Sequence, residues 1–327
     1  MILITGGAGF IGSNIAADFQ ERDHDIAICD WLGHSDKWKN IQKLVPQDII
    51  APEALPRWLD RRGNEIDAVI HMGAISATTE TDADLILENN FRLSVSLWHY
   101  CATFDIPLIY ASSAATYGDG SSGFCDDTGG ENMASLMPLN PYGWSKHLFD
   151  RWVLAQIQRG APQPAKWAGL KFFNVYGPNE YHKGSMKSVI AQNYSRIAAG
   201  QAIKLFKSYH PDYADGGQMR DFIYVRDCVD VVTWMLGNNF ERGIYNLGTG
   251  KARSWNDLAA AIFAALGLDP KIEYIEMPDE LRGRYQYFTE AGMEKLRAVG
   301  CPVNFHSLED GVENYVQSHL SQENQYR

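Results

Sequence analysis

Short apolar segments alternate with longer amphipathic segments through the first half of the chain. The apolar segments have the length of strands and are Ile2–Thr5, Asp25–Asp30, Ala68–Met72, Pro107–Ser112 and Gly169–Asn174. Helices are predicted to begin near Phe10, Pro52, Asp82 and Pro141. Strands and helices in this alternation build right-handed βαβ units around a parallel sheet. The pattern therefore predicts a doubly wound α/β fold.

The rhythm changes after Val175, where loops become longer and richer in glycine, proline and aspartate, above all between Lys207 and Met219. Long loops in compact folds commonly carry function, so this part is expected to face a substrate. The segment Arg220–Gly248 again reads as strand, helix and strand, which predicts a return to the first sheet. We therefore expect a dinucleotide-binding domain of residues 1–171 with 219–248, and a smaller α/β substrate domain of residues 172–218 with 249–327. The polar tail 321–327 is expected to be frayed.

The composition is typical of a globular protein of the cytoplasm. Hydrophobic residues make up 45% of the 327 positions, and the formal net charge of −11 disfavours binding to nucleic acid. The chain shows no apolar run long enough to span a membrane and no signal-peptide pattern at Met1. Its five scattered cysteines and nine histidines form no metal-ligand pattern, so reduced thiols and no metal site are expected.

The segment Thr5–Gly12, which reads TGGAGFIG, follows the first strand and opens the first helix. It satisfies both G-x-G-x-x-G from Gly7 and G-x-x-G-x-x-G from Gly6. Glycines in this place let a pyrophosphate approach the backbone and the unpaired N–H groups of the helix N-terminus. The sequence thus predicts a Rossmann fold that binds a nicotinamide dinucleotide.

An acidic residue, Asp30, ends the second strand, where it can accept hydrogen bonds from the adenosine ribose. Alone it favours NAD. Lys37 and Lys39 follow closely, however, and a cation beside the ribose could neutralise the 2′-phosphate of NADP. Both cofactors therefore remain open, with NADP as the first expectation.

Tyr142 and Lys146 lie four residues apart and should share one face of the helix that begins near Pro141. A tyrosine is a base at neutral pH only if its pKa of about 10 is lowered, and the expected cause is the Lys146 cation, helped by the positive charge of the nicotinamide. The strand end Ala111–Gly118 supplies two serines, Ser112 and Ser113, and a serine hydroxyl in this place can bond the reacting oxygen. Another strand end, Met72–Ser76, is expected to line the cofactor.

These residues together resemble the extended short-chain dehydrogenases/reductases. Further segments are similar to the ADP-L-glycero-D-manno-heptose 6-epimerase family, and the resemblance runs from Met1 to about Tyr315. The segments that carry it are Tyr110–Gly118, Phe173–Pro178, His182–Met186, Lys204–Phe206, Asn246–Gly250 and Arg282–Gln286.

The resemblance implies roles for individual residues. Tyr142 would be the general acid/base, Lys146 its partner, Ser113 a catalytic hydrogen-bonding group and Lys183 a second acid/base. The implied cofactor contacts are Gly6, Gly9, Phe10, Ile11, Gly12, Asp30, Trp31, Lys37, Met72, Gly73, Ala74, Ile75, Ser76, Asn89, Tyr142, Lys146, Val175 and Lys183. The implied substrate contacts are Ser113, Asn174, Ser185, Gln192, Phe206, Arg220 and Tyr285.

The chain departs from the family at two places. Gln192 stands where the family commonly has a histidine, and the segment Tyr209–Gln218 is longer than in the enterobacterial form. The adenosine end of the site is therefore expected to differ. The resemblance also implies a homo-oligomer, with a pentamer as one form.

Side chains near Ser113 bear on the choice of reaction. Ala114, Ala115 and Thr116 supply no carboxylate, which disfavours a dehydratase. The resemblance then implies that a retained NADP, or NAD, oxidises C6 of an ADP-heptose and that the hydride returns to the other face. A UDP-hexose 4-epimerase and a non-catalytic dinucleotide-sensing protein of the same fold are the alternatives, and the second would have little need of Ser113, Tyr142 and Lys146 together.

Overall fold

The computed structural model describes residues 1–127, 129–282 and 285–327. Helices and strands alternate along most of the chain. The strands are β1 (Ile2–Thr5), β2 (Ile26–Cys29), β3 (Asp48–Ile50), β4 (Ala68–His71), β5 (Leu108–Ser113), β6 (Trp167–Phe172), β7 (Asn174–Tyr176), β8 (Ile203–Phe206), β9 (Met219–Tyr224), β10 (Gly243–Leu247), β11 (Ala252–Ser254) and β12 (Ile272–Ile275).

The α-helices vary from one turn to five turns in length. They are α1 (Phe10–Glu21), α2 (Leu55–Arg62), α3 (Ala83–Ile86), α4 (Leu93–Phe104), α5 (Gly130–Ser135), α6 (Pro141–Gln158), α7 (Val189–Ala198), α8 (Val225–Gly237), α9 (Trp255–Ala265), α10 (Asp279–Arg282), α11 (Glu294–Ala298) and α12 (Leu308–Tyr315). A π-helical segment, Leu87–Arg92, joins α3 to α4.

Seven parallel strands form the central sheet, in the order β10-β6-β5-β4-β1-β2-β3. The order reverses between β1 and β4, and ligands of such sheets bind at the carboxyl ends of the strands beside this switch point. Strands β1, β2 and β4 are fully buried, and their largely apolar sequences fit a sheet that helices cover on both faces. The predicted doubly wound Rossmann fold is confirmed.

The second half of the chain adds two small sheets. Strand β9 pairs parallel with β7 and antiparallel with β11, while β8 pairs with β12. Two strands, β9 and β10, were predicted to return to the first sheet, and only β10 pairs there. Strand β9 joins the small sheet instead because its side chains Phe222 and Tyr224 pack into a second hydrophobic cluster with Ile190, Leu258 and Val312.

The packing modifies the expected domain division. Residues Ala291, Met293, Leu296 and Cys301 belong to the hydrophobic cluster around the central sheet, although the sequence placed them in the substrate domain. We propose that the dinucleotide-binding domain remains discontinuous, comprising residues 1–171, α8, β10 and the segment around α11. The substrate-facing part then comprises β7–β9, β11, β12 and the helices packed on them.

Two other expectations are corrected. The predicted strand Gly169–Asn174 is divided, because β6 ends at Phe172 and β7 begins at Asn174. The tail is not frayed: the Tyr181 hydroxyl donates to the Gln325 carbonyl at 2.9 Å, and the Arg327 backbone N–H donates to Asn179 Oδ1 at 3.0 Å. Within the described residues, no helix combines the length and apolar character needed to cross a membrane.

Candidate active site

One cavity of about 650 Å³ lies at the carboxyl ends of the central strands and extends to the small sheets. Its lining includes the glycine loop after β1, Asp30 after β2, the segment after β4, Ser113 at the end of β5 and the residues between β6 and β7. Strand ends that are far apart in sequence meet here because all seven strands run in the same direction. The sequence-based site is therefore brought together at the position expected for this fold.

The glycine loop makes close backbone contacts that exclude larger residues. Gly6 has a φ of +65°, and a Cβ on it would lie 2.6 Å from the Gly73 nitrogen. A Cβ on Gly12 would lie 2.2 Å from the Gly6 carbonyl oxygen. Helix α1 begins directly after Gly9 with no side-chain cap and no acidic residue in its first turn. Its free N–H groups and the absence of side chains in the loop fit a pyrophosphate.

Asp30 and Lys37 form an ion pair at the end of β2, with Lys37 Nζ 2.6 Å from Asp30 Oδ1. The other carboxylate oxygen of Asp30 accepts a hydrogen bond from the Ala8 backbone N–H at 3.0 Å. Both side chains line the cavity. Lys39 instead pairs with Asp36, at 3.1 Å. Of the two lysines considered from the sequence, only Lys37 therefore borders the site expected for the adenosine ribose.

Ser113, Tyr142 and Lys146 all line the middle of the cavity. Ser113 ends β5, and Asn140 caps α6 by accepting a hydrogen bond from the Gly143 N–H at 2.8 Å, which fixes the start of the helix that carries the other two. Ser113 Oγ also accepts from the Ala115 N–H at 3.1 Å. The Ser112 hydroxyl donates to Asp150 at 2.6 Å, so Ser113 is the serine available to a ligand.

The electrostatics of Tyr142 differ from the sequence-based expectation. Burial raises the pKa of Tyr142 above its usual value, and a hydrogen bond with Ser113 offsets only part of that effect. Burial also lowers the pKa of Lys146 to about 8, although the negative charge of Asp150 acts to raise it. In the chain alone, desolvation of the phenolate therefore dominates, and the expected lowering of the tyrosine pKa by Lys146 together with the nicotinamide charge stays a prediction for the enzyme with its cofactor.

The loop after β4 is held by an asparagine that sequence reasoning missed. Asn90 accepts a hydrogen bond from the Ile75 N–H at 2.8 Å, and its amide donates to the Ile75 carbonyl at 3.0 Å and to Ser145 Oγ at 3.0 Å. The predicted Asn89 instead donates to the Leu85 carbonyl and does not line the cavity. Ile75 likewise acts through its backbone, while Met72, Gly73, Ala74 and Ser76 do line the cavity.

Lys183 lies in a 3₁₀ segment, Tyr181–Met186, and lines the cavity beside Val175 and Asn174. Its ammonium is 5.2 Å from the centre of the Phe10 ring. Burial lowers the pKa of Lys183, and the charge of Glu180 partly offsets the effect. This environment fits a lysine that exchanges protons more readily than an exposed one.

Arg220 is 8% exposed and lines the far end of the cavity. Its guanidinium donates to the Met219 carbonyl at 2.7 Å and lies 5.2 Å from the centre of the Tyr285 ring. Burial lowers its pKa, and no carboxylate in the described part of the chain offsets this. A desolvated guanidinium without a carboxylate is well suited to a phosphate ligand.

Several other predicted contacts lie outside the cavity lining. Trp31 is exposed and donates to Glu53, whereas the Gln192 amide donates to the backbone of Ser185 and Lys187. Ser185 is exposed. Phe206 packs edge-to-face on Tyr285, at 6.4 Å between ring centres, and Tyr285 in turn lies beside Arg220, so neither ring lines the cavity. Gly283 and Arg284 of the segment Arg282–Gln286 lie outside the described residues.

The comparisons with known proteins agree with this geometry. A profile of the NAD dependent epimerase/dehydratase family matches residues 2–248. The chain belongs to the NAD-dependent epimerase/dehydratase family. Its similarity to this family and its interpretation as an epimerase, both expected from the sequence, are confirmed.

Relatives within the family extend over the whole chain. A protein of Nitratidesulfovibrio vulgaris strain DP4 is 52% identical over 98% of both chains, and one of Fusobacterium nucleatum is 50% identical over 100% of both. Each is named ADP-L-glycero-D-manno-heptose-6-epimerase.

Solved structures show the same fold. The Helicobacter pylori ADP-L-glycero-D-manno-heptose-6-epimerase has a TM-score of 0.79 and 29% identity, over 97% of this chain and 95% of that one. The Thermus thermophilus UDP-glucose 4-epimerase, solved with NAD, has a TM-score of 0.71 and 24% identity, over 97% and 99% of the two chains, and supports the fold alone.

Proposed function

We propose that the chain is an ADP-L-glycero-D-manno-heptose 6-epimerase, which inverts C6 of an ADP-linked heptose through transient oxidation. The observation that carries this proposal is one continuous cavity that joins the glycine loop, the group Ser113, Tyr142 and Lys146, and the buried guanidinium of Arg220. A dinucleotide bound at the glycine loop, and an ADP-sugar whose diphosphate lies at Arg220, would place the sugar beside Ser113, Tyr142 and Lys146. The 50–52% identical relatives of that name support the choice of sugar nucleotide.

Tyr142, Ser113 and Lys146 act on the first face of the sugar. When bound, an oxidised nicotinamide supplies a hydride acceptor and a positive charge. Tyr142 takes the proton of the C6 hydroxyl as C6 gives up a hydride, and the Ser113 hydroxyl holds the oxygen of the resulting ketone. The Lys146 cation, together with the charge of the ring, opposes the effect of burial on Tyr142.

Inversion requires a proton donor after the ketone turns about the C5–C6 bond. Lys183 lines the same cavity and comes from the segment between β7 and α7, whereas Tyr142 comes from α6. We assign to Lys183 the return of a proton to the ketone oxygen on the second face; exchange with solvent then removes the proton from Tyr142 and restores the one that Lys183 lost. The net reaction is redox-neutral because C6 regains the hydride it lost.

The lining of the cavity favours epimerisation over loss of water. Among the lining residues within the described ranges, Asp30 is the acidic one, and it lies at the predicted ribose site. Elimination of water from a sugar needs an acid and a base near the reacting carbons. Ala114 and Ala115 follow Ser113 in the lining instead.

Lys37 favours NADP within this proposal. Its ammonium neutralises Asp30 and also donates to the Trp31 carbonyl at 2.9 Å, so a cation is fixed beside the position of the ribose hydroxyls. A 2′-phosphate requires such a cation next to the carboxylate. NAD, whose ribose hydroxyl Asp30 could bind directly, is the alternative outcome.

The proposal retains three further sequence-based expectations. The enzyme would act in the cytoplasm, which the five free thiols favour. It would assemble as a homo-oligomer, with a pentamer as one form, and would supply heptose for the lipopolysaccharide core.

Two measurements on the purified protein test the proposal. Mass spectrometry of small molecules released by denaturation should identify a retained NADP. NMR of ADP-D-glycero-D-manno-heptose mixed with catalytic amounts of enzyme should show conversion to the L-glycero epimer without added dinucleotide. Conversion of UDP-glucose to UDP-galactose, with no change in the ADP-heptose, would assign the enzyme to the UDP-hexose 4-epimerases instead.

A further inference from the structure

A buried ionic cluster lies behind Ser113, Tyr142 and Lys146, on the side away from the glycine loop. Its centre is Asp150 on α6, which is fully buried, and the fully buried Lys171 on β6. The nitrogen of Lys171 is 3.8 Å from Asp150 Oδ2, too far for a hydrogen bond. Lys171 donates instead to Thr116 Oγ1, at 2.9 Å. Asp150 and Lys171 therefore attract each other as an ion pair, but Lys171 donates no hydrogen bond to the carboxylate.

Neutral donors hold the Asp150 carboxylate in place. The Ser112 hydroxyl donates to Oδ2 at 2.6 Å, and the Tyr110 hydroxyl donates to Oδ1 at 3.1 Å. Both belong to β5, the strand that ends at Ser113. Burial raises the pKa of Asp150, while Lys171, these two donors and Lys146 lower it, so four groups favour its charged form.

Asp150 follows Lys146 by four residues on α6, so the two side chains lie on one face of the helix. Lys146 is 3% exposed, and a buried ammonium loses its proton easily unless a negative charge is near. Asp150 is the carboxylate that favours the charged form of Lys146. Helical spacing, burial and a carboxylate that accepts no hydrogen bond from Lys171 together point to a role for Asp150 in the reaction centre.

We propose that Asp150 is a positioning residue that keeps Lys146 in its charged form, and that Lys171 limits this effect by sharing the same carboxylate. The inference rests on the function proposed for Lys146. Asp150 does not touch the substrate, and it acts through Lys146 on the proton held by Tyr142. Loss of the Lys146 charge at high pH would remove the cation that Tyr142 needs, so Asp150 sets the upper pH limit of turnover.

Other charged or titratable groups around this pair come from every neighbouring element. They are Tyr110 and Ser112 on β5, Lys171 on β6, His71 on β4, His147 on α6, and Asp126 and Lys295 beyond Lys171. Burial and the charge of Lys146 lower the pKa of His71 to about 3, and burial followed by Lys171 lowers that of His147 to about 4. Both imidazoles are thus neutral across the pH range in which Lys146 titrates.

The test is a direct titration of Lys146 in the intact protein. Lysine labelled with ¹³C at Cε is followed by NMR from pH 6 to 10, and the Lys146 signal is assigned by its loss in Lys146→Arg. The wild-type midpoint should lie near 8. In Asp150→Asn it should fall by about one pH unit or more. Tyr110→Phe, which removes a hydrogen bond to the same carboxylate but no charge, is the matched control and should shift it far less.

The same variants are then assayed as holoenzymes. In Asp150→Asn, kcat should decline with rising pH at a midpoint at least about one unit below that of the wild type. A uniform loss of kcat with an unchanged midpoint, or an unchanged NMR titration, would overturn the inference. If Asp150→Asn does not fold, Lys171→Gln tests it with the opposite sign: Asp150 then faces Lys146 alone, and the NMR midpoint must rise. An unchanged or lower midpoint in that variant would contradict it.

The two readouts separate this inference from the proposed function. If Asp150→Asn shifts the Lys146 titration but neither wild type nor variant converts the ADP-heptose, the ionic link stands and the substrate assignment fails. If turnover is normal but the titration does not respond to Asp150, the function stands and the link fails.

Discussion

Lys37 Nζ lies 2.6 Å from Asp30 Oδ1, at the carboxyl end of β2 and on the wall of the cavity. In the proposed function this pair would meet the adenosine ribose, where NADP carries a phosphate that NAD lacks. Asp30 alone would repel that phosphate, and Lys37 compensates for it.

Lys37→Ala should therefore weaken NADP binding by about tenfold or more, which corresponds to about 1.4 kcal/mol, with a smaller effect on NAD. Isothermal titration of both cofactors into protein stripped of dinucleotide measures the difference. Lys39→Ala is the matched control, because Lys39 pairs with Asp36. Equal losses for NADP and NAD in Lys37→Ala would show that Lys37 does not meet the 2′-phosphate.

Tyr142→Phe removes one hydroxyl from the centre of the cavity. Turnover should fall by about 10²- to 10⁴-fold because the variant lacks the group that accepts the hydroxyl proton. The bound dinucleotide and the melting temperature should stay near wild-type values. Tyr176→Phe is the control, since Tyr176 also lines the cavity but is assigned no role in the reaction. Near-normal turnover in Tyr142→Phe would remove Tyr142 from the mechanism.

Lys183→Met tests the assignment of the second proton-transfer group. The variant should lose at least about 10²-fold in kcat in both directions, with the affinity for ADP nearly unchanged. Lys187→Met provides the comparison, because Lys187 lines the cavity in the adjoining segment. A normal kcat with a raised KM would instead assign Lys183 to the diphosphate.

Arg220→Met should act on binding and not on the chemical step. Loss of a charged hydrogen bond to the diphosphate is expected to raise the Kd for ADP by about 10- to 100-fold and to raise KM, with kcat nearly unchanged. Arg253→Met is the control, since Arg253 pairs with Glu309 on the surface. An equal Kd for ADP in the wild type and in Arg220→Met would show that the diphosphate binds elsewhere.

Much of the site could be predicted because it follows from short patterns whose geometry is local. The glycines after β1 and the pair Tyr142 and Lys146 depend only on a strand–helix turn and on helical spacing. The sequence pointed to Asn89, but Asn90 holds the loop, because the segment Leu87–Arg92 is π-helical and its longer turn shifts which side chain faces the sheet.

Contacts between distant parts of the chain were the ones that sequence patterns did not reveal. Asp150 and Lys171 meet only because α6 packs beside β5 and β6, although a lysine inside the apolar strand Trp167–Phe172 was a visible signal. The docking of Arg327 on Asn179 likewise joins residues 148 positions apart. The direction of the Tyr142 pKa shift depended on burial, which no spacing rule supplies.

The central claim is that the chain inverts C6 of an ADP-linked heptose with a dinucleotide it retains. The most direct test incubates purified enzyme with ADP-D-glycero-D-manno-heptose deuterated at C6, without added cofactor, and follows the epimers by NMR and mass spectrometry. The account predicts the L-glycero epimer with deuterium retained at C6, because the hydride that leaves returns to the same carbon. Loss of the deuterium to solvent, or no epimer from protein that contains its dinucleotide, would contradict it.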